Sequence, residues 1–217
     1  MKKIAVIGAT GFVGSQIVNE LENRGYAVEA IVRDSSKVKT SEKVTVKSVN
    51  VNNIEELSEA LKGNEAVISS FNAGWNNPNI YEDFLTGSRS IEKAVEKAGL
   101  KRLIVVGGAG SLYKEDNTQF VDSPDFPEVI KPGALAARDY LNEIKNNTTL
   151  DWTFFSPALE MVPNNPGKRT GKYRLSLDTP VFDNKGVSYL SVGDTAVAIV
   201  DELEQNKFIQ KRFTAAY

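Results

Sequence analysis

Two kinds of hydrophobic pattern recur along the chain. Short runs rich in valine and isoleucine are typical of buried strands, and longer stretches with apolar residues three or four positions apart are typical of helices. The longest helical stripe has a 4-3-4-3 spacing and consists of Phe84, Ser88, Ile91, Val95 and Ala98. Because such a stripe covers one face of a helix, this helix is expected to pack on a single hydrophobic surface.

These patterns predict strands that alternate with helices. The strands are predicted at 3–7, 26–33, 43–49, 66–70, 102–106 and 152–155, with later ones at 171–177, 186–190 and 208–215. Helices are predicted from Val13 to Gly25, after an Asp34 cap, at 53–61, from 80 to Gly99, at 134–146 and after a capping box at 191–194. The connection at 107–133 has a length that usually serves function or is disordered.

The alternation predicts an α/β fold with a doubly wound, mostly parallel sheet that helices cover on both faces. The length of 217 residues favours a single domain, 1–217. Ligands of such sheets bind beyond the carboxyl ends of the strands, where the strand order reverses. Candidate functional residues are therefore expected directly after the predicted strands.

Three glycines with the spacing Gly8-x-x-Gly11-x-x-Gly14 join the first strand to the first helix. In this context a glycine fingerprint binds a dinucleotide. Gly8 is expected to turn the chain, Gly11 to let the backbone approach a pyrophosphate, and Gly14 to let the helix pack close to the strand. Free N–H groups at the helix N-terminus favour the charge of the phosphates. The motif predicts an NAD(P)-binding Rossmann fold, and a tight turn without a ligand is the alternative.

The end of the second strand distinguishes NADP from NAD. Arg33 lies about 20 residues after Gly14. Its guanidinium can bind a 2′-phosphate bidentately, and Lys37 can add positive charge. Asp34 could bind the ribose 2′-hydroxyl of NAD instead, but a helix cap explains it better because a carboxylate would repel the phosphate. The turn predicts that NADP(H) is preferred over NAD(H), with a solvated charged turn as the alternative for Arg33 and Lys37.

Composition narrows the chemistry further. The chain has no cysteine and no histidine, which excludes a thiolate nucleophile and a Ser-His-Asp triad, and no metal site is predicted. The 26 basic and 28 acidic residues are mixed along the chain, so nucleic-acid binding is not expected. No apolar run approaches the roughly 20 residues of a membrane span. The absence of cysteine favours a cytoplasmic location.

Together these motifs resemble the atypical short-chain dehydrogenase/reductase superfamily. The resemblance is strongest to its NmrA-like branch, which includes NADPH-dependent flavin reductases, biliverdin reductase of the flavin-reductase type and bacterial NADH-flavin reductases. It extends over essentially the whole chain and is carried by the segments at 8–14, 32–37, 105–112, 122–127, 151–157 and 212–217. The resemblance implies the fold and the cofactor more specifically than the substrate.

The resemblance also implies a role for residues that follow each strand. The cofactor would contact Gly8, Thr10, Gly11, Phe12, Val13 and Gly14 at the pyrophosphate, Arg33 and Lys37 at the 2′-phosphate, Asn50 and Val51 beside adenine, Phe71, Asn72 and Ala73 beside the ribose, and Gly107 and Pro157, the latter against the nicotinamide. Asn50 stands where the family often has an acidic residue. Several of these residue types are also common in turns. A small substrate-side region is expected at about 157–190.

Ser111 falls near the superfamily's active-site serine, and its predicted role is to orient the acceptor or the nicotinamide by a hydrogen bond. No tyrosine is followed four residues later by a lysine, so the usual Tyr-x-x-x-Lys proton relay is absent. Trp75 and Tyr113 lie in loops on the cofactor side and could stack on a planar ring, or they could simply anchor those loops.

These features predict an NADPH-dependent oxidoreductase that reduces a flavin or a similar planar acceptor by direct hydride transfer. FMN and riboflavin are candidate acceptors. The alternative is a non-catalytic NADP(H)-binding regulator of the NmrA-like type, which would keep the cofactor site without turnover. The expected partner is a small-molecule acceptor, and the expected assembly is a monomer or a homodimer.

Overall fold

The side chains of the central strands point alternately into two hydrophobic layers. In β1 (Lys3–Ile7), Ile4 and Val6 belong to one layer, and Ala5 and Ile7 belong to the other. This alternation buries both faces of the strand, as expected for a sheet with helices on each side. The structure, a computed structural model, describes residues 2–38 and 40–217.

The elements follow the predicted order. After β1 come α1 (Phe12–Asn23), β2 (Ala27–Val32), β3 (Val44–Ser48), α2 (Ile54–Leu61), β4 (Ala66–Ser69), α3 (Ile80–Lys97), β5 (Arg102–Val106), α4 (Lys131–Ile144), β6 (Asp151–Ser156), β7 (Arg174–Ser176), α5 (Val192–Gln205) and β8 (Lys211–Ala216). Short 3₁₀ turns occur at Ser35–Lys37, Ala109–Ser111 and Phe120–Asp122.

The described strands form one eight-stranded sheet in the order β3-β2-β1-β4-β5-β6-β8-β7. Every pairing is parallel except that of β7 with β8. This confirms the predicted α/β fold with a doubly wound, mostly parallel sheet. The strand order reverses between β1 and β4, which makes the gap beyond these two strands the expected ligand site.

Helices cover both faces of the sheet. One hydrophobic layer includes Ile17 and Leu21 of α1 together with Ile199 of α5. The other includes Leu57 of α2 and Phe84 of α3, together with residues of α4. Among the helices that the structure describes, none combines the length and the apolar character that a membrane crossing needs.

Three predicted boundaries need correction. The segment at 186–190 is not a strand: it makes single backbone hydrogen bonds, from Glu160 N to Ser188 O and from Tyr217 N to Tyr189 O, and no ladder. The strand predicted at 171–177 is reduced to Arg174–Ser176. The helix predicted from residue 134 begins at Lys131 because Pro132 occupies the first turn, where proline is favoured.

Candidate functional site

The glycine loop lies at the reversal point of the sheet. Gly8 has φ +77°, and a Cβ added there would lie 2.6 Å from the carbonyl oxygen of Ser70. A Cβ at Gly14 would overlap the carbonyl oxygen of Gly8 and the Ser70 side chain. Gly8 and Gly14 are therefore required by the close contact between the end of β1, the start of α1 and the end of β4.

Gly11 is exposed and differs from the other two glycines. It is the N-cap of α1, and no side chain caps the helix there. A Cβ at Gly11 would meet only the Gly8 carbonyl oxygen, at 3.2 Å, among the described residues. The free N–H groups and the helix dipole thus present partial positive charge beside exposed Thr10 and half-buried Phe12 and Val13.

Ser70 is a part of this loop that the sequence reasoning missed. Its Oγ lies 3.0 Å from the carbonyl oxygen of Ile7 and 3.2 Å from that of Gly8. The hydroxyl thereby joins β4 to the turn that opens the glycine loop. A serine at the end of the strand predicted at 66–70, next to the reversal point of the sheet, was the available signal.

The turn after β2 presents its cations to solvent. Arg33 and Lys37 are both exposed, and Lys37 Nζ lies 3.6 Å from the Asp34 carboxylate. Asp34 accepts hydrogen bonds from the Ser36 hydroxyl and, at 3.1 Å, from the Ser36 backbone N–H, which confirms it as the cap of the 3₁₀ turn. These two hydrogen bonds lower the pKa of Asp34, and the bond from the Ser36 hydroxyl has the larger effect. Its carboxylate is therefore engaged within its own turn.

The predicted adenine-side residues follow β3. Asn50 is exposed, and its side-chain oxygen accepts a hydrogen bond from Asn52 N at 3.1 Å, which forms a turn. Val51 is buried in the layer that contains α2. The backbone of this turn thus lies where the carboxyl ends of the parallel strands meet. The Asn50 side chain stabilises the turn, and the Val51 side chain packs in the core.

The segment after β4 turns tightly beside α3. Phe71 stacks on Phe84 with ring centroids 6.0 Å apart, and it occupies the space that a side chain at Gly87 would need. The side-chain oxygen of Asn72 accepts a hydrogen bond from Gly74 N at 2.7 Å. Ala73 is half-buried in the same turn. The segment is ordered by these contacts, and it begins directly after Ser70, which contacts the glycine loop.

Trp75 extends from this turn toward α4. The residue is 57% exposed. A Cβ at Gly133, in the first turn of α4, would lie 2.8 Å from Cζ3 of the indole, so the absence of a side chain at Gly133 makes room for the ring. The indole is anchored along one edge and open to solvent on the remainder.

Gly107 and Pro157 follow the two neighbouring strands β5 and β6. Gly107 N donates to the carbonyl oxygen of Phe155 at 2.9 Å, and the ring of Phe154 fills the space where a Gly107 side chain would lie. Pro157 is buried. The backbone at Gly107 is thus pressed against the sheet.

Ser111 is an interior residue, 1% exposed. Its hydroxyl lies 3.2 Å from the carbonyl oxygen of Gly108 and 3.5 Å from the hydroxyl of Ser156. Arg212 donates to both the carbonyl oxygen and the hydroxyl of Ser111. The predicted orienting role of Ser111 stays a prediction, and any such effect would act through the position of this loop.

Tyr113 is half-buried, and its ring centroid lies 5.5 Å from the guanidinium carbon of Arg212. Sequence reasoning also missed Arg212. The signal was an arginine inside the final strand, directly before Phe213, because a charged side chain inside a strand of a covered sheet must find a buried partner.

All of these segments meet at one edge of the sheet. The parallel strands β1 to β6 end there, and the residues predicted to bind a cofactor follow their carboxyl ends. An elongated, doubly phosphorylated ligand fits this edge. It would meet a backbone surface without a side chain at Gly11, the uncapped N-terminus of α1 and the exposed cations after β2. These residues therefore suit a dinucleotide cofactor.

Comparison with known proteins agrees with this geometry. A family model described as NAD(P)H-binding matches residues 8–203. The uncharacterized protein YwnB of Bacillus subtilis is 36% identical over 214 residues, which cover 98% of this chain and 97% of YwnB.

Two solved structures share the fold over nearly their whole lengths. A Bacteroides thetaiotaomicron protein called a "putative epimerase" is 45% identical with a TM-score of 0.91, and the match covers 100% of this chain and 97% of that one. A Streptococcus pneumoniae protein called a "putative NADH-flavin reductase" is 36% identical with a TM-score of 0.83, over 100% and 99% of the two chains. The resemblance to the atypical short-chain dehydrogenase/reductase superfamily is thus confirmed, and the chain belongs to the NAD(P)H-binding family.

Proposed function

We propose that the protein is an NADPH-dependent reductase that passes a hydride directly to a flavin or to a similar planar acceptor such as a quinone. The observation that carries this proposal is the uncapped N-terminus of α1 at Gly11, beside the reversal point of the sheet. The name of the Streptococcus pneumoniae relative supports a flavin as the acceptor. When bound, the reduced nicotinamide supplies the hydride.

The chain's own residues would bind and orient the two reactants. The free N–H groups of α1 would hold the pyrophosphate, and Arg33 with Lys37 would recognise the 2′-phosphate. The segments at Gly107 and Pro157 would form the wall on the nicotinamide side. Most of the rate enhancement would then come from holding two flat rings together and excluding water.

The available side chains favour planar acceptors over simple ketones. A ketone that receives a hydride becomes a localised alkoxide, which requires a proton donor or an oxyanion hole. The chain has no histidine, no cysteine and no Tyr-x-x-x-Lys pair to serve as that donor. A flavin spreads the charge over its ring system and does not need the donor in the same step. The open indole of Trp75 offers a surface on which such a ring can stack.

Two measurements test this proposal. Fluorescence titration with NADPH and NADH gives the two affinities, and we expect tighter binding of NADPH. NADPH oxidation is then followed spectroscopically with FMN, riboflavin and a quinone, and with a simple ketone as the matched negative acceptor. Turnover of a planar acceptor without turnover of the ketone supports the proposal. Efficient ketone reduction would reveal a proton relay and contradict it.

The second candidate is a non-catalytic NADP(H)-binding regulator. The burial of Ser111 is the observation that favours it, because the Ser111 hydroxyl lies within hydrogen-bond distance of Gly108, Ser156 and Arg212 and is not presented at the surface of the site. Tight NADPH binding without turnover of any acceptor would support the regulator and overturn the reductase.

The assembly and the location are part of the same proposal. We expect a monomer or a homodimer, with a small-molecule acceptor and no nucleic acid or membrane as partner. Light scattering measures the oligomeric state. The absence of cysteine supports a cytoplasmic location, which cell fractionation tests.

A further inference from the structure

A buried arginine joins the loops on the acceptor side of the site. The Arg212 side chain, in β8, is 2% exposed. Its Nε donates to the Asp178 carboxylate at 2.9 Å, and Nη2 donates to the same oxygen. Its Nη1 donates to the carbonyl oxygen of Ser111 at 2.6 Å and to the Ser111 hydroxyl at 3.2 Å. One guanidinium therefore binds the loop after β5 and the loop after β7 at once.

Other contacts join the same segments. Tyr113 N donates to the backbone oxygen of Asp178 at 2.8 Å, and the Gln119 side chain donates to the Ser111 carbonyl oxygen at 3.0 Å. Phe154, the register partner of Arg212 in the neighbouring strand, is the ring that packs against Gly107. Arg212 is thus at the centre of the contacts that define where residues 107–113 lie.

Stability alone does not account for a charged group at this place. Burial removes the guanidinium from water, and the Asp178 carboxylate that faces it stays 60% exposed, so solvent screens their attraction and it returns little of the cost of burial. A planar guanidinium, however, presents five N–H donors in a rigid fork, and it can direct them at two different segments. Neither an apolar side chain nor the single ammonium of lysine reproduces that geometry.

We propose that Arg212 is a positioning residue for the acceptor side of the site. It fixes residues 107–113 relative to Asp178, so that the wall beyond β5 keeps the acceptor flat against the cofactor. This inference rests on the proposed reductase function. Arg212 does not itself reach the reactants, because its donors are used within the protein. A displacement of about 1 Å in such a wall can reduce a rate on the order of a hundredfold.

The test compares Arg212→Lys with Arg102→Lys. Arg102 is the matched control because it is also a buried arginine with a carboxylate partner, Glu202 at 2.8 Å, but it lies at the opposite, amino end of β5. For Arg212→Lys we expect kcat for flavin reduction to fall at least about tenfold while the Kd for NADPH changes less than about twofold. Arg102→Lys should lower the melting temperature and leave both kcat and the Kd for NADPH unchanged.

Asp178→Asn is the second variant, which keeps the test decisive if Arg212→Lys does not fold. The Asp178 side chain is largely exposed, so this substitution leaves the core intact. We expect a smaller fall in kcat than with Arg212→Lys, again without loss of NADPH affinity. Unchanged acceptor kinetics in both variants, or equal losses in the Arg102→Lys control, would overturn the proposal.

A readout without turnover separates this inference from the proposed function. Hydrogen exchange measures whether NADPH protects the amides of residues 107–113, including the Tyr113 amide that is bonded to Asp178. We expect protection in the wild type and in Arg102→Lys, and its loss in Arg212→Lys. If no acceptor is turned over, the reductase function fails, and this exchange pattern still supports the positioning role. Retained protection in Arg212→Lys would overturn it.

Discussion

Gly11 is the residue at which binding can be separated from folding. Its backbone, with φ −73° and ψ 171°, is accessible to any residue, and among the described residues an added Cβ would meet only the Gly8 carbonyl oxygen, in a tight contact of 3.2 Å. Gly11→Val should therefore fold, but its methyl groups would occupy the surface that the pyrophosphate approaches. We expect the Kd for NADPH to rise more than about tenfold, equivalent to about 1.4 kcal/mol, in a fluorescence titration.

Gly14→Ala is the contrasting control for that experiment. Its Cβ would overlap the Gly8 carbonyl oxygen and the Ser70 side chain, so the loss should appear first in thermal unfolding. NADPH affinity that is unchanged in a folded Gly11→Val protein would show that the pyrophosphate lies elsewhere.

Arg33 is the residue that should decide between the two nicotinamide cofactors. A bidentate, charge-assisted contact with a 2′-phosphate is worth about 1.5–3 kcal/mol. Arg33→Ala should weaken NADPH binding by about ten- to a hundredfold and NADH binding far less. Lys101→Ala, an exposed cation just before β5, is the control and should change neither affinity. Equal loss of both cofactors, or a wild type that prefers NADH, would point to Asp34 as the ribose ligand.

The N-terminus of α5 shows how far a sequence pattern predicts an element. The capping box at 191–194 was predicted, and Ser191 does accept a hydrogen bond from Asp194 N at 3.0 Å. The Asp194 carboxylate does not return to the cap, however. It accepts from the backbone of Thr170 and Gly171 at 2.7–3.0 Å and from the Tyr217 hydroxyl. Contacts between positions so distant in sequence leave no local signal.

This carboxylate should make stability depend on pH. Burial alone would raise the pKa of Asp194, but hydrogen bonds from Tyr217, Thr170 and Gly171 outweigh it and lower the pKa. Because the pKa is lower in the folded state, the stabilisation is present above the unfolded value of about 3.9 and is lost as the pH falls through the folded value. Asp194→Asn should lower the free energy of unfolding by about 1.5–3 kcal/mol at pH 7. Urea denaturation between pH 7 and pH 3 should show this difference shrinking in acid.

The matched control for that titration is Asp116→Asn. Asp116 is exposed, and its hydrogen bonds with the Thr118 side chain and backbone also lower its pKa. Because solvent screens this exposed carboxylate, its substitution should change the pH dependence of unfolding less than Asp194→Asn does. A constant difference between Asp194→Asn and wild type at every pH would mean that the Asp194 charge contributes nothing.

At the scale of the whole molecule, the sequence predicts the parallel core and the cofactor edge but not the order of the last two strands, β7 and β8. Continuous apolar runs occur in β1, β4 and β5, and Gly8, Gly11 and Gly14 identify the edge at which a ligand is expected. The insertion of β8 between β6 and β7 depends on long-range pairing, such as Phe154 with Arg212, that no local pattern contains. For the same reason, Ser70 and Arg212 become visible as partners only in the fold.

The distribution of titratable groups over the whole molecule leads to a final prediction about catalysis. Without histidine or cysteine, the chain has no side chain whose ordinary pKa lies between 5 and 8. Hydrogen bonds lower the pKa of seven carboxyl groups, and in the buried ones they outweigh burial, which raises it. The seven are Glu20, Glu29, Asp34, Asp116, Glu143, Asp183 and Asp194. Burial and neighbouring carboxylates raise the pKa of six tyrosines: Tyr26, Tyr81, Tyr140, Tyr173, Tyr189 and Tyr217.

Both sets of shifts move away from neutral pH, so none of these thirteen groups is poised for proton transfer there. If the hydride passes directly to a planar acceptor, kcat at saturating NADPH should change less than about threefold between roughly pH 6 and pH 9. A required group that titrated in that range would instead change kcat by about tenfold per pH unit beyond its pKa. Steady-state rates with riboflavin, which carries no phosphate that titrates in this range, measure the profile. A bell-shaped profile with a limb near pH 7 would identify a proton relay and contradict direct transfer, whereas a flat profile is what binding and orientation alone produce.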